Sequence, residues 1–225
     1  MYNDIPCYVI VVAGGAGTRF GGDVPKQFLL LDDKPVVMHS VMQFAAIDYV
    51  DGIILVVPHD YLRHCENLAI PKVRAVVASG TSRQQSVYNG LMATDSDGLV
   101  LIHDGARPFV SKSAVDSLVQ AAYQHKAATL AWLATDTIKT ADEAQFARQT
   151  LCRDNLYHIQ TPQAFCIKTL LDAHETGFTA GDDCELVERM GIWPKIVIGN
   201  ADNIKITNGL DLDFARFLLE RGSPE

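Results

Sequence analysis

The chain has 225 residues, 48% hydrophobic and 20% charged, a composition that fills a sizeable core and argues against disorder. Twenty-seven acidic side chains against nineteen basic ones give a net charge of −8. That balance disfavours nucleic acid or an anionic membrane as the main partner, yet leaves room for a few cations gathered in one cleft. The five cysteines, Cys7, Cys65, Cys152, Cys166 and Cys184, are odd in number and contain no CxxC pair, so neither a disulfide framework nor a cysteine zinc site is supported. Reduced thiols are the expectation. The N-terminus lacks a basic n-region, and its apolar run is too short for a signal peptide or a membrane span, so the expected location is the cytoplasm.

In chain order, Tyr8–Ala13 is short, β-branched and unalternating, as a strand buried on both faces should be. Pro35–Ala46 follows as a helix with proline near its start. Ile53–Val57, ending at Pro58, and Val73–Ala78 are further strands. Ser82–Ala93 is a helix that opens with Ser82 and Gln85 in capping-box spacing. Leu99–His103 is a strand, Ser113–His125 a helix with the weaker Ser113/Asp116 box, and Ala128–Ala134 a strand. Residues 135–160 break the alternation: TDTIKT is extended and DEAQ turn-like, which predicts a protruding hairpin of the kind that packs on a second subunit. Asp182–Met190 is a helix stopped by Gly191, Trp193–Ile198 a strand, and Leu210–Glu220 the last helix. Strand–helix alternation with buried strands predicts one α/β domain over 1–225, a doubly wound and mostly parallel sheet of Rossmann-like type. Ligands of such sheets bind beyond the carboxyl ends of the strands, so the chemistry should lie in the loops that follow them.

The first of these loops is AGGAGTRFGGDVPKQF, residues 13–28. Its glycines let backbone pass close to a ligand and aim N–H groups at phosphate. It is not the dinucleotide fingerprint, since Phe20 stands where the third glycine should be, nor a P-loop, since Lys26 is followed by Gln27. A long glycine-rich loop carrying Arg19 and Lys26 suits a nucleoside triphosphate. After the next buried strand comes HDGARP, in which Asp104 is placed to hold Mg²⁺ beside phosphates and Arg107 to reach a phosphate oxygen. His103 reads as structural. Gly80, Arg83 and Ser86 sit at a helix start, where N–H groups favour anions or base contacts. Arg153 and Thr161 lie near a proline turn, and Lys205 lies in a short extended segment. An acidic chain that gathers Arg19, Lys26, Arg83, Arg107 and Lys205 on one rim would hold an anion site within a negative surface.

AGGAGTRFGGDVPKQF, SRQQSVYNGL, HDGARP, DTIK, QTPQAF, DDCELVE and NIKIT occur in an order that resembles the 2-C-methyl-D-erythritol 4-phosphate cytidylyltransferases, over roughly Tyr8 to Phe217. The resemblance implies a homodimer with an exchanged arm, CTP and a small polyol phosphate as substrates, Mg²⁺ as cofactor, and pyrophosphate release. It implies that Arg19 and Lys26 stabilise the transition state, and that Arg153, acting in the neighbouring subunit's site, and Lys205 position the sugar-alcohol phosphate. Ala13, Gly14, Gly15, Gly17, Thr18, Gly80, Arg83, Ser86, Asp104 and Gly105 fall on the CTP side, with Asp104 as the metal-associated aspartate. Arg107, Thr137 and Thr161 fall near the second substrate. Gly105 stands where alanine is more usual, Ser79 replaces a common glycine, and Gly181 stands where threonine is common, so the helix start after Gly181 is expected to lose a cap. The ribitol-5-phosphate cytidylyltransferases share the fold and several motifs; RDNLYHIQTPQAF with Arg153 and the Asp182–Asp183 pair favours the methylerythritol enzymes.

Overall fold

A computed structural model describes residues 1–15, 24–95 and 97–222 of the chain. The expected position of Gly17, Thr18 and Arg19 in the first loop lies outside the described residues. The elements, in order, are β1 Cys7–Val12, β2 Leu30–Leu31, β3 Lys34–Pro35, α1 Val36–Ala45, β4 Gly52–Val57, α2 Leu62–Glu66, β5 Val73–Ala78, α3 Arg83–Leu91, β6 Leu99–Asp104, α4 Lys112–His125, β7 Ala127–Leu133, β8 Lys139–Ala141, β9 Ala147–Thr150, β10 Tyr157–Cys166, α5 Ile167–Glu175, α6 Asp183–Glu188, β11 Lys195–Ile198 and α7 Gly209–Arg221.

Seven strands form the main sheet in the order β11-β7-β10-β6-β1-β4-β5. All run parallel except β10, which lies antiparallel between β6 and β7. The runs expected to be buried on both faces are so, because successive side chains alternate between two helical layers. Cys7, Val9 and Val11 of β1 join Val41 and Phe44 of α1 and Leu118 of α4 on one face. Tyr8 and Ile10 join Val87 of α3, Leu170 of α5 and Leu186 of α6 on the other. A smaller third cluster seats α7 through Leu212, Ala215 and Leu218 against Leu31, Val36, Phe109 and Ile206. No helix among the described residues is long and apolar enough to cross a membrane.

The expected elements appear with shifted ends. Ser82 caps α3 by accepting from the Gln85 amide at 3.0 Å, but Gln85 turns its own amide to Asn89, so only half of the box forms. The α4 cap is Ser111, two residues before the expected Ser113, and accepts from the Ala114 amide. Asp116, assigned above to that box, instead accepts from Lys112 and Tyr49. The loss expected beside Gly181 does not occur: Asp182 itself caps α6 by accepting from the Glu185 amide, and Glu185 accepts from the Gly181 amide. Gly191 adopts φ +79° just after α6, in the left-handed conformation foreseen for it. A complete capping box, Asn208 with Asp211, starts α7. The hairpin forms as β8 and β9 around a turn at 142–145, and every residue of both strands is exposed.

His103, next to last in β6, is fully buried and edge-on to Phe44. Its Nε2 donates to the Arg107 carbonyl at 2.9 Å and its Nδ1 lies 3.3 Å from the Thr161 hydroxyl, the pattern of a neutral ring. Burial pushes its pKa down to about 4. The unfolded chain therefore takes up a proton near pH 6.5 that the folded chain refuses, and stability is lost as pH falls from there toward 4. The expected slope for this one group is about 1.4 kcal/mol per pH unit. Urea midpoints from pH 7.5 to 4.5 should show it, and His103→Gln should flatten the curve; an unchanged slope in that variant would assign the acid loss to other groups.

Candidate active site

The carboxyl ends of β1 and β6 and the start of α3 enclose a cavity of about 440 Å³. Ala13, Gly14, Gly15, Lys26, Gly80, Arg83, Ser86, Asp104 and Lys205, all expected at a site, line it. At Gly14 an added Cβ would overlap the Cβ of Ser79, so the loop after β1 approaches the end of β5 closely only because residue 14 is glycine, and at Gly80 it would overlap the side chain of Gln85 in the first turn of α3. Ser86 is committed to shaping this wall: its hydroxyl accepts from the Gly80 amide at 3.0 Å and donates to the Ser82 carbonyl at 2.8 Å.

Asp104 is the electrostatic centre. Its side chain is 12% exposed and sits among three cations: Lys205 Nζ at 2.7 Å, Arg83 Nε at 3.6 Å and Arg107 Nε at 3.7 Å. Burial alone would raise this carboxyl, but Lys205, Arg83 and Arg107 outweigh it and hold it well below the usual range. Arg83 is in turn bonded through Nη1 to Asp183 Oδ2 at 2.7 Å. Although burial disfavours the charge on Arg83, Asp183 and Asp104 together raise its pKa, so it stays a cation.

The backbone that carries Lys205 is tied to β6 and β10. The Ile206 amide donates to the Ala106 carbonyl at 2.9 Å. Asn203, 1% exposed, donates through Nδ2 to the Thr161 carbonyl at 2.9 Å, and its own carbonyl accepts from Arg107 Nη1 at 2.7 Å. Thr161 completes the circuit by accepting the Asp104 amide at 2.9 Å. Thr161 and Arg107 therefore stand behind the cavity, buttressing Asp104 and the Lys205 segment. Gly105 packs beneath it, where an added Cβ would lie 3.1 Å from the Ala13 Cβ.

Arg153 and Thr137 lie apart from this group. Arg153 is exposed at the foot of the hairpin, donating to the Thr135 carbonyl at 2.9 Å, and Thr137 is exposed at the opposite foot. Within one chain they are not lining residues of the cavity.

Three roles escaped the sequence reading, which used Asp183 only as part of a pair that separates two families. Gln27, 2% exposed, donates from Nε2 to the carbonyls of Ala13 and Gly15 (2.9 Å to the latter), fastening the entry of the glycine-rich loop to the turn that carries Lys26. Asn203 and Asp183 anchor Lys205 and Arg83. Only a polar residue beside each expected cation could have hinted at them.

The donor set bears on a metal. Among the described residues no three His, Cys, Asp or Glu side chains gather as a metal cluster. Among the described residues Asp104 is the one carboxylate lining the cavity, and its Oδ1 has no side-chain hydrogen bond from Arg83 at 3.6 Å. Magnesium is commonly held by one or two carboxylates plus substrate phosphates, so the site fits an ion that arrives on a nucleotide rather than a resident one.

The family model for 2-C-methyl-D-erythritol 4-phosphate cytidylyltransferase matches residues 7–221. A protein of that name from Pelotomaculum thermopropionicum is 42% identical over 94% of this chain and 93% of its own length. Another, from Geobacillus kaustophilus, is 43% identical over 93% of this chain and 95% of its own. The crystal structure of 4-diphosphocytidyl-2C-methyl-D-erythritol synthase from Anaerococcus prevotii superposes with a TM-score of 0.85 at 29% identity, covering 97% of this chain and 98% of that one. The chain belongs to the 2-C-methyl-D-erythritol 4-phosphate cytidylyltransferase family.

Gln27→Leu keeps the bulk but leaves two loop carbonyls without their donor. It should cost about 1–3 kcal/mol in urea unfolding. A loss of only a few tenths would mean that the loop entry is held by other contacts.

Proposed function

We propose that the chain transfers CMP from CTP to 2-C-methyl-D-erythritol 4-phosphate, giving 4-diphosphocytidyl-2-C-methyl-D-erythritol and pyrophosphate. The observation that carries this reading is the cavity in which Asp104 sits among Lys205, Arg83 and Arg107, beside Lys26 and close glycine-lined walls. The family and the names of its relatives favour this acceptor over ribitol 5-phosphate.

The chemistry needs little acid–base help. A phosphomonoester has a second pKa near about 6, so the acceptor phosphate is mostly dianionic at neutral pH and is itself the nucleophile. One of its oxygens attacks the α-phosphorus of CTP, the bond to the bridging oxygen breaks, and that oxygen leaves with pyrophosphate. His103 fits this scheme, since it is buried, neutral and occupied on both ring nitrogens.

The barrier is the approach of one anion to another. Two unit charges at about 4 Å repel by about 4 kcal/mol at an effective dielectric constant near 20. Fixed cations offset this without reorganising, and that is the work of the residues around the cavity. Lys26, with Arg19 from the preceding loop, would take charge developing on the pyrophosphate side. Arg83 would reach the triphosphate from the start of α3. Lys205 would draw the acceptor phosphate into line. Asp104 would hold the Mg²⁺ of the nucleotide, which when bound neutralises phosphate charge.

The exposed hairpin supports a homodimer through that arm. Arg153 at its foot would then serve the acceptor phosphate in the neighbouring subunit's site, consistent with its absence from the lining of its own chain's cavity.

Pyrophosphate release from CTP and Mg²⁺, measured in parallel with 2-C-methyl-D-erythritol 4-phosphate and D-ribitol 5-phosphate, should occur with the first alone. Release with only the second would keep the chemistry and move the acceptor. Lys26→Ala should lower kcat by about 10²-fold or more, the scale of one lost preorganised charge contact; a change below about threefold would remove Lys26 from the transition-state set.

Arg153→Ala should also be nearly inactive as a homodimer. Mixed with Lys26→Ala protein under conditions of proven subunit exchange, it should regain part of the activity, because one site in each hybrid carries neither lesion. No recovery would refute a site shared between subunits.

A further inference from the structure

We propose that Asp183 is a positioning residue that holds the Arg83 guanidinium back from Oδ1 of Asp104, keeping that carboxylate edge open to a phosphate-borne divalent cation. The proposal rests on the CTP reading and deepens it.

The asymmetry of Arg83 carries the argument. Two carboxylates compete for one guanidinium. Asp183 receives a direct hydrogen bond from Nη1 at 2.7 Å, whereas Asp104 Oδ1 lies 3.6 Å from Nε, beyond hydrogen-bond reach. A guanidinium with a single carboxylate in reach prefers the short, bidentate arrangement. Asp182 also lies within the field of Arg83, but both its oxygens are already bonded, to the Glu185 amide and Gln163; without the charge of Asp183, Asp104 is therefore the carboxylate onto which Arg83 would close, and closure would occupy Oδ1. Oδ2 already faces Lys205 at 2.7 Å, so a cation approaching the carboxylate would then have to displace a cation from either oxygen.

Asp183 is held firmly enough to impose this. The residue is 1% exposed. Its neighbour Asp182 accepts from the Glu185 amide at 2.8 Å through Oδ1 and from Gln163 Nε2 at 2.8 Å through Oδ2, which fixes the start of α6 to β10. The start of α3 is fastened to the segment before α6 by Gln84, whose Nε2 donates to the Phe178 carbonyl at 2.8 Å and whose Oε1 accepts from the Ala180 amide. Arg83 is thus suspended between two helix starts whose separation is set by contacts that do not involve it. From there it adds positive potential to the cavity without covering the metal-side oxygen.

The test is calorimetric titration of CTP into the full-length protein, in excess Mg²⁺ and in EDTA. Asp183→Asn keeps the shape and removes the charge. The wild type should bind CTP more tightly with Mg²⁺, and Asp183→Asn should lose about tenfold of affinity with Mg²⁺ but no more than about twofold in EDTA. Its Mg²⁺ activation constant should rise while the KM for the acceptor stays within about twofold. In an Arg83→Gln background the same substitution should have no further effect on Mg²⁺-dependent binding, because the residue acts through Arg83. Equal losses with and without Mg²⁺, wild-type behaviour, or an additive loss in the double variant would overturn the proposal. A wild type that binds no CTP would instead sink the CTP reading beneath it. If Asp183→Asn fails to fold, Asp183→Glu keeps the charge, and a folded Asp183→Glu protein without Mg²⁺-dependent tightening would equally overturn it.

Discussion

A carboxylate with only 12% of its side chain exposed must be paired, and much of this site follows from how Asp104 is paired. Its partners come from separate parts of the chain: Arg83 from α3, Arg107 from the loop after β6, and Lys205 from the segment before α7. Buried ion pairs of this kind contribute little net stability, because desolvation consumes most of the Coulombic gain, but breaking one is costly. Their effect is to fix geometry. The cluster ties the starts of α3 and α6 and the segment before α7 to the carboxyl end of β6, the edge of the sheet where ligands are expected.

The antiparallel strand β10 makes that arrangement possible. It enters the middle of an otherwise parallel sheet and carries Gln160, Thr161 and Gln163 into the interior. Each brings hydrogen-bonding capacity that the neighbouring segments use. Thr161 takes the Asp104 amide and gives its carbonyl to Asn203, Gln160 donates to the Asn200 carbonyl, and Gln163 donates to Asp182. A strand of purely apolar residues at this place would hold the sheet together equally well. It would leave Asp104, the Lys205 segment and the start of α6 without a common reference.

The same polarity explains what could be read from the sequence and what could not. β1, β4 and β6 were legible because burial on both faces demands an unbroken apolar run, and few other elements produce one at that length. β10 was not legible, because its central stretch QTPQ has the look of a turn and becomes strand only through partners distant in sequence. Helix α5 has Cys166 at its N-cap position and no side-chain cap, so it lacked the signal that marked α3. α4 carried two serines two residues apart, and spacing alone favoured the wrong one. At the site, the cations and Asp104 stood out because charge beside glycine in a loop is conspicuous. Gln27 and Asn203 did not stand out, and Asp183 stood out only as half of an acidic pair and not as the anchor of Arg83, since the role of a buried polar side chain is recognisable only by what it touches.

An acidic chain that collects cations raises the question of whether the rest of its surface opposes the substrates. Screening answers it. At physiological ionic strength the Debye length is about 8 Å, so exposed carboxylates farther away than that act weakly on a charge inside the cavity. In the Asp104 cluster three cations, Arg83, Arg107 and Lys205, meet two carboxylates, Asp104 and Asp183, and Lys26 also lines the cavity. The two carboxylates do not merely subtract from that excess. Each is bonded to a guanidinium or an ammonium, and without them Arg83 and Lys205 would be long, mobile side chains that must be ordered afresh at every turnover. Held in advance, they meet developing charge with little reorganisation, and that is where an electrostatic site gains its rate. The net charge of −8 and a polyanion site are therefore compatible: one is set by the whole surface, the other by the few ångströms around Asp104.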